Sequence, residues 1–282
     1  MINNILIPAT LTSMMIIVGT GLQMEAFRSL LRSPRFLAGA TLSQAVLLPA
    51  GALIFILLMK PVPELAAGLI LVAACPGGAI SNFYCHFARL NVALSVMLTA
   101  ISSILSFALL PLILAITFPV ISLDRPVEVP VATLSLQLFL FLFVPIGIGM
   151  ALRFYFPRTV ERYSLEIRFI GLALLVMLLT VILVMQWETV RQSSGDAAIL
   201  AVSFTGFAAL AGWVTALVLR QELKDRLVFA IEFSIRNLAA AVLVAVSSLA
   251  QPDFAAFSAL FLIVQFPLIV VLLYFYRSRE SH

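Results

Sequence analysis

Long apolar stretches separated by short polar islands run along the whole chain of 282 residues. Each stretch is about 20 residues long, the length that an α-helix needs to cross the hydrocarbon core of a bilayer. The pattern predicts nine spans, at about 5–22, 36–59, 65–89, 92–117, 131–152, 164–186, 196–219, 227–249 and 255–276. No connection is long enough to form a soluble domain, and the longest ones on the outer side, around Asp124–Pro130 and Trp187–Asp196, have about ten residues. We therefore predict one all-α, polytopic membrane domain over residues 1–282.

Polar residues interrupt two of the predicted spans. The third span contains the sequence CPGGAISN at 75–82, and the eighth contains Glu232, Arg236 and Asn237. Proline lacks a backbone donor and glycine weakens a helix, so we predict discontinuous helices here. The two spans correspond if spans 1–4 repeat as spans 6–9 in the opposite orientation. This inverted repeat with paired broken helices is typical of the binding site of a secondary transporter.

Composition supports a membrane protein and excludes a soluble one. Hydrophobic residues make up 63% of the chain and the mean hydropathy is +1.15, against roughly 45–50% apolar residues in soluble domains. The net charge of +4 comes from residues in the loops, so no nucleic-acid partner is predicted. Cys75 and Cys85 lie in one apolar run, and we expect two free thiols.

The basic residues outside the spans predict the orientation. Three of them, Lys60, Arg125 and Arg191, fall on one side of the nine-span arrangement. Twelve fall on the other side, at positions 28, 32, 35, 89, 153, 158, 162, 220, 224, 226, 277 and 279. Because cytoplasmic loops carry the excess of Lys and Arg, the larger set is cytoplasmic. We expect a multi-pass protein of a bacterial cytoplasmic (inner) membrane, with its amino terminus outside and its carboxyl terminus inside.

The polar residues at membrane depth are typical of an ion site. A charged side chain at the bilayer centre costs about 2.5–3.5 kcal/mol on insertion scales, so a function is the default interpretation. Carbonyls freed by a broken helix suit a cation, and Glu232 supplies a negative charge. Ser81 and Asn82 add oxygens at the first break, and Ser95 and Thr99, four residues apart, share one helix face.

These motifs resemble the bile acid:sodium symporter family in its nine-helix form. The segment 75–82, followed by NVALS at 91–95 and by Thr99, is similar to the most characteristic segment of that family. Gln44, before Leu48 and Pro49, resembles its glutamine in the second span, and residues 232–237 resemble its Glu-x-x-x-Gln-Asn crossover. The resemblance implies a core of about 36–117 and 196–276 and a panel of about 5–22 and 131–186, with spans 3 and 8 crossing.

The resemblance also implies the site residues. One sodium site would use Ser81, Asn82, Ser95, Thr99 and Glu232. A second would use Gln44, Glu232, the backbone near Phe233 and Ile235, and a glutamine that is Arg236 here. The substrate cavity near the crossover would include Ala79, Ser81, Arg236 and Asn237. The resemblance implies sodium-coupled symport of an organic anion, bile-acid-like or a small carboxylate. We expect sodium as the coupling ion, no other cofactor, no enzymatic activity and no obligate protein partner.

Arg236 departs from the family pattern. A guanidinium has only donors and does not lose its charge, so it cannot ligate sodium. We hypothesise that this tethered cation replaces the second sodium and leaves one per cycle. Two alternatives stay open: a buried ion pair with Glu232, four residues earlier, if the backbone remains helical there, or a contact with the carboxylate or sulfonate of the substrate.

Other interpretations compete for single residues and for the whole chain. Ser95 and Thr99 are also typical of helix-bridging hydroxyls, Gln44 is equally suited to bridging helices, and His86 fits a packing role better than proton coupling. A sodium-independent or proton-coupled transporter, or a sensor of the same fold, is an alternative function. An intramembrane hydrolase is disfavoured because Ser81 and His86 do not share a helix face. The identity of the anion and the oligomeric state are not encoded in any motif.

Overall fold

Apolar helices form nearly all of the computed structural model, which describes residues 2–22, 34–121, 127–265, 267 and 269. No β-strand occurs in these ranges. The helices are α1 (Ile2–Gly21), α2 (Pro34–Met59), α3 (Pro63–Ala74), α4 (Ile80–Phe87), α5 (Val92–Thr117), α6 (Val131–Leu138), α7 (Val144–Tyr155), α8 (Pro157–Arg162), α9 (Ser164–Met185), α10 (Trp187–Val218), α11 (Leu223–Ser234) and α12 (Leu238–Val242). A π-helical turn, Phe139–Phe143, joins α6 to α7, and another, Leu243–Ser248, extends α12. A 3₁₀ turn, Pro252–Ala255, leads into a helix over 256–265.

The long helices have the length and composition of membrane spans. Among the described residues, five helical segments are long and apolar enough to cross a bilayer: Phe36–Met59, Val92–Thr117, Val131–Tyr155, Ser164–Met185 and Gly195–Val218. Large apolar side chains such as Leu58, Phe169 and Val218 are exposed on their outer surfaces, where lipid rather than water is the favourable neighbour. The predicted class, an all-α multi-pass membrane protein, is confirmed.

One predicted connection is wrong. The segment Trp187–Asp196, expected as a loop, forms the first turns of α10, which begins at Trp187. It contains no proline, and Glu188 and Arg191 form an exposed i,i+3 ion pair of 3.1 Å on it, so the helix continues past the apolar stretch. The other long connection and the ninth predicted span lie partly outside the described residues, as do the basic positions 28, 32, 125, 277 and 279.

The two interrupted segments form the most buried part of the fold. The chain leaves the helical path between α3 and α4, at 75–79, and again between α11 and α12, at 235–237. Every residue of 65–74 and of 227–245 is buried, whereas the unbroken helices expose apolar faces. The residues before and after each break are therefore covered by other parts of the protein, which can satisfy the backbone there, whereas α4 is partly exposed at Phe83 and Phe87.

Close helix contacts at two glycines hold the broken helices in place. A β-carbon at Gly68 in α3 would lie 2.6 Å from the main-chain oxygen of Phe254. A β-carbon at Gly212 in α10 would overlap the main-chain oxygen of Phe229 in α11. Only a residue without a side chain permits this approach of backbone to backbone. α3 is thus packed against the 3₁₀ turn, and α11 against α10.

Candidate cation site at the helix crossover

The two breaks meet and bond to each other. Gly77 and Arg236 form an isolated antiparallel bridge. The Gly78 N–H donates to the Ile235 carbonyl at 2.9 Å, and the Asn237 N–H donates to the Pro76 carbonyl at 2.9 Å. Backbone groups that the helices release at one break are therefore satisfied by the other break, as burial at membrane depth requires.

Each break has a local cause in the sequence. Cys75 is extended, with ψ of 154°, because the residue before a proline avoids the helical region, and Pro76 has no N–H to continue α3. The second break contains no proline. There Ile235 is extended, with ψ of 111°, and the Asn237 side-chain oxygen accepts from the Ala240 N–H at 3.1 Å. Asparagine favours such a helix start, so α12 begins immediately after the break.

A single carboxylate lies at this crossover, surrounded by hydroxyls. Glu232 is 1% exposed. One carboxylate oxygen accepts from the Ser81 hydroxyl at 2.5 Å and from the Ser95 hydroxyl at 3.2 Å. The other oxygen accepts from the Thr99 hydroxyl at 2.6 Å. Hydrogen bonds to an ionised group are short and strong, and these three join α4, α5 and α11 at one point.

Asn82 adds an oxygen without a protein partner. It follows Ser81 in the first turn of α4, and its side-chain oxygen is buried with no hydrogen bond among the described residues. Buried acceptors are nearly always paired, so this unpaired oxygen, one residue after a hydroxyl that donates to Glu232, is available to a cation. The structure thus brings together Ser81, Ser95, Thr99 and Glu232 as predicted, with Asn82 adjacent in sequence to Ser81.

The sequence analysis missed Gly77 and Ser102 as parts of this site. A β-carbon at Gly77 would overlap the Glu232 carboxylate, so the backbone approaches the acid as only glycine allows. The Gly77 N–H donates to the Ser102 hydroxyl oxygen at 3.1 Å. Ser102 follows Thr99 by three residues and Ser95 by seven, a spacing that places all three on one face of α5 and was the available signal.

The residues expected at a second sodium site are engaged with protein groups. The Gln44 side-chain amide donates to the main-chain carbonyl of Glu232 at 3.3 Å. The Ile235 carbonyl accepts from Gly78, and Phe233 is fully buried beside it. Gln44 therefore bridges α2 to α11 in this state, which was one of its two predicted roles.

Arg236 does not pair with Glu232. The helix α11 ends at Ser234, so the four-residue spacing no longer places the two side chains on one face, and no ion pair joins them in the described structure. The ion-pair alternative is therefore wrong. Arg236, 4% exposed, instead donates from Nε to the Val72 carbonyl at 3.4 Å and from Nη2 to the Ala73 carbonyl at 3.3 Å. Its Nη1 is buried without a described partner.

The remaining predicted residues lie around the crossover or away from it. Ala79 is half-buried at the start of α4. The Asn237 amide contacts the Met15 sulfur of α1 at 3.8 Å. Cys75 and Cys85 are buried free thiols. His86 is exposed, so its predicted packing role is wrong, because it lies on the outer face of the short helix α4.

Comparison with known proteins identifies the family. The profile described as the Sodium Bile acid symporter family matches residues 8–193. The chain belongs to this family. The family is one of symporters with sodium as the coupling ion, so the predicted class, a transporter rather than an enzyme, is confirmed at the level of the family. The matched residues include Gln44, Ser81 and Thr99 and end before α11, so the placement of Glu232 and Arg236 rests on the geometry described above.

Several curated relatives carry related names. The chain is 30% identical over 198 residues to the probable sodium/metabolite cotransporter BASS2, chloroplastic, of Oryza sativa subsp. japonica, covering 70% of this chain and 46% of the relative. It is 40% identical over 105 residues to the probable sodium/metabolite cotransporter BASS1, chloroplastic, of Arabidopsis thaliana, covering 37% of this chain and 26% of the relative. It is 35% identical over 97 residues to the uncharacterized sodium-dependent transporter YocS of Bacillus subtilis, covering 34% and 30%. The chain thus matches between a quarter and a half of the length of these relatives.

Proposed function

We propose that this symporter-family protein is a secondary active transporter that couples entry of an organic anion to sodium. One observation carries the proposal: a buried carboxylate lies where two broken helices cross, and three hydroxyl oxygens point at it. Each hydroxyl that donates to Glu232 keeps lone pairs that can face a cation. Together with Asn82, whose oxygen is unpaired, they form an all-oxygen site for sodium. The names of the relatives, sodium/metabolite cotransporters, support the same function.

The proposed architecture has nine membrane spans in an inverted repeat. In this arrangement α3 with α4 is the third span, and α11 with α12 is the eighth. The core comprises about 36–117 and 196–276 and the panel about 5–22 and 131–186, with an outside amino terminus and a cytoplasmic carboxyl terminus in a bacterial inner membrane. The correspondence of the two breaks supports the repeat, and the contact of Asn237 with Met15 supports a panel helix beside the crossover.

The proposed stoichiometry is one sodium per cycle. The carboxyl end of a helix attracts cations, because its last carbonyls lack helical partners and carry the negative end of the dipole. At the end of α3, the Val72 and Ala73 carbonyls accept from the guanidinium of Arg236, and Val72 also accepts from the Cys75 N–H at 3.3 Å. The guanidinium of Arg236, a cation attached to the chain, thus takes the place of the second sodium ion that the family resemblance implies.

The proposed substrate is a monovalent or amphipathic organic anion, bile-acid-like or a small carboxylate. It would bind near the crossover, against Ala79, Ser81, Arg236 and Asn237. The unpartnered Nη1 of Arg236 supports this placement, because a buried guanidinium donor without an acceptor favours a carboxylate or sulfonate oxygen.

The first test measures sodium binding through stability. Purified protein in detergent is melted in sodium chloride and in choline chloride at equal ionic strength, alone and with a panel of organic anions. A ligand that binds the native state raises apparent stability by mass action, so sodium should stabilise the wild type and not Glu232→Gln. Equal responses of the two proteins would overturn the proposed site.

The second test measures transport. An anion that stabilises the protein only in sodium is offered, radiolabelled, to proteoliposomes with an imposed sodium gradient. Accumulation that stops when the gradient is collapsed supports symport. Binding without accumulation would overturn symport in favour of a sensor, and accumulation driven equally by a proton gradient in choline would assign proton coupling instead.

A further inference from the structure

Ser102 is bonded to both sides of the cation site without touching the carboxylate. It is 5% exposed on α5. Its hydroxyl oxygen accepts from the Gly77 N–H at 3.1 Å and its hydroxyl hydrogen is donated to the Thr99 main-chain carbonyl at 3.1 Å. One side chain therefore connects the first break to the helix turn that carries Thr99.

The backbone of Gly77 lies close to two oxygen acceptors. The backbone of Gly77 lies against a carboxylate oxygen of Glu232, and the next neighbour on that side is the Ser102 hydroxyl oxygen, 3.5 Å from an idealised β-carbon position. The buried N–H of Gly77 must be paired. In this structure it bonds to Ser102, and Glu232 receives only hydroxyl donors.

This choice of acceptor matters for cation binding. A hydroxyl that donates to Glu232 can rotate and present its oxygen to an incoming cation. An amide N–H cannot rotate in this way, and it would permanently occupy a carboxylate lone pair and offset the charge that the cation requires.

We propose that Ser102 is a positioning residue that holds the Gly77 amide away from Glu232 and so keeps the carboxylate free for a cation. The proposal rests on the sodium site proposed above. Without the Ser102 hydroxyl, the Gly77 amide is free to turn to the Glu232 carboxylate that lies against its backbone, and a bond there weakens cation binding. We expect the Kd for sodium to rise about tenfold, the ratio that corresponds to 1.4 kcal/mol.

The test uses sodium alone as the probe. Binding of sodium-22 to purified full-length protein is measured by scintillation proximity for wild type, Ser102→Ala and Ser102→Cys. The cysteine variant preserves most of the side-chain volume but offers only a weak acceptor, so both variants should lose affinity. Ser106→Ala is the matched control, because Ser106 is buried one turn further along α5 and donates only to the Ser103 carbonyl of its own helix. It should bind sodium like the wild type.

The outcomes separate this proposal from the one it rests on. Wild-type sodium affinity in both Ser102 variants, or an equal loss in Ser106→Ala, would overturn the positioning role. Loss in the alanine variant with full affinity in the cysteine variant would assign Ser102 to packing and likewise overturn it. A wild type that binds no sodium would instead overturn the proposed function. Melting temperatures in choline chloride show that each variant is folded before binding is measured.

Discussion

Replacing Thr99 by valine tests whether the hydroxyls of α5 serve the buried carboxylate. Valine has nearly the same shape, so the change removes one oxygen and little volume. Thr99 is 1% exposed. Its hydroxyl donates to Oε1 of Glu232 at 2.6 Å and is the only described donor to that oxygen. The change therefore leaves that oxygen without its described donor.

The expected loss of stability follows from this geometry. A hydrogen bond to a charged group contributes about 1.5–3 kcal/mol. We therefore expect Thr99→Val to lower the free energy of unfolding by about 2 kcal/mol when sodium is absent. One kcal/mol shifts the melting temperature of a domain of 150–250 residues by about 2–4 °C, so the variant should melt roughly 4–8 °C lower in choline chloride.

Thr117→Val is the matched control on the same helix. Thr117 is also buried, but its hydroxyl donates to the Ile113 carbonyl of α5 at 2.7 Å. Such a bond within one helix adds little to stability, so this variant should lose less than about 1 kcal/mol.

The sodium response provides the second readout. A ligand stabilises by RT ln(1 + [L]/Kd), so a tenfold weaker site loses about 1.4 kcal/mol of stabilisation at a saturating sodium concentration. Melting is followed by intrinsic fluorescence in a sodium chloride series at constant ionic strength. Equal melting temperatures and equal sodium responses for the two valine variants would refute the reasoning.

Three further predictions concern the same crossover. Arg236→Gln should restore an acceptor and raise the Hill coefficient for sodium from near one towards two, whereas a wild-type value already near two would contradict the tethered-cation proposal. Gly77→Ala should abolish the sodium response because its β-carbon overlaps Glu232, while Gly206→Ala, whose β-carbon meets no atom within 4 Å, should retain it in the same melting assay. One sodium carried with one monocarboxylate moves no net charge, and the opposite charges of Glu232 and Arg236 cancel in the unloaded protein, so uptake into proteoliposomes should not change with a valinomycin-clamped potassium potential; faster uptake at negative inside potential would contradict this.

The position of the carboxylate site could be anticipated from local patterns. Pro76 and the glycines after it stop a helix wherever they occur, and an acid such as Glu232 inside an apolar stretch has few functional explanations. The spacing of Ser95 and Thr99 places both on one helix face. The break after Ala74 and the shared face of Ser95 and Thr99 are present in the structure, because each depends on the chemistry of neighbouring residues.

The contacts of Arg236 could not be anticipated in the same way. Its spacing from Glu232 favoured an ion pair on a continuous helix, but the helix ends two residues before it. The acceptors that it uses instead, on Val72 and Ala73, lie 164 and 163 residues away in sequence. No local pattern specifies which distant carbonyl a side chain will meet.

The sequence alone determined the class of protein, the apolar helices and the points at which two of them break, because a bilayer requires each segment to satisfy its own backbone and to be apolar over its own length. The tertiary structure alone decided which donor bonds to which acceptor at the crossover: Arg236 to the end of α3, the Gly77 amide to Ser102, and three hydroxyls to Glu232. The physical reason is that hydrogen bonds form only over about 3 Å, and only the packing of all the helices brings these groups within that distance.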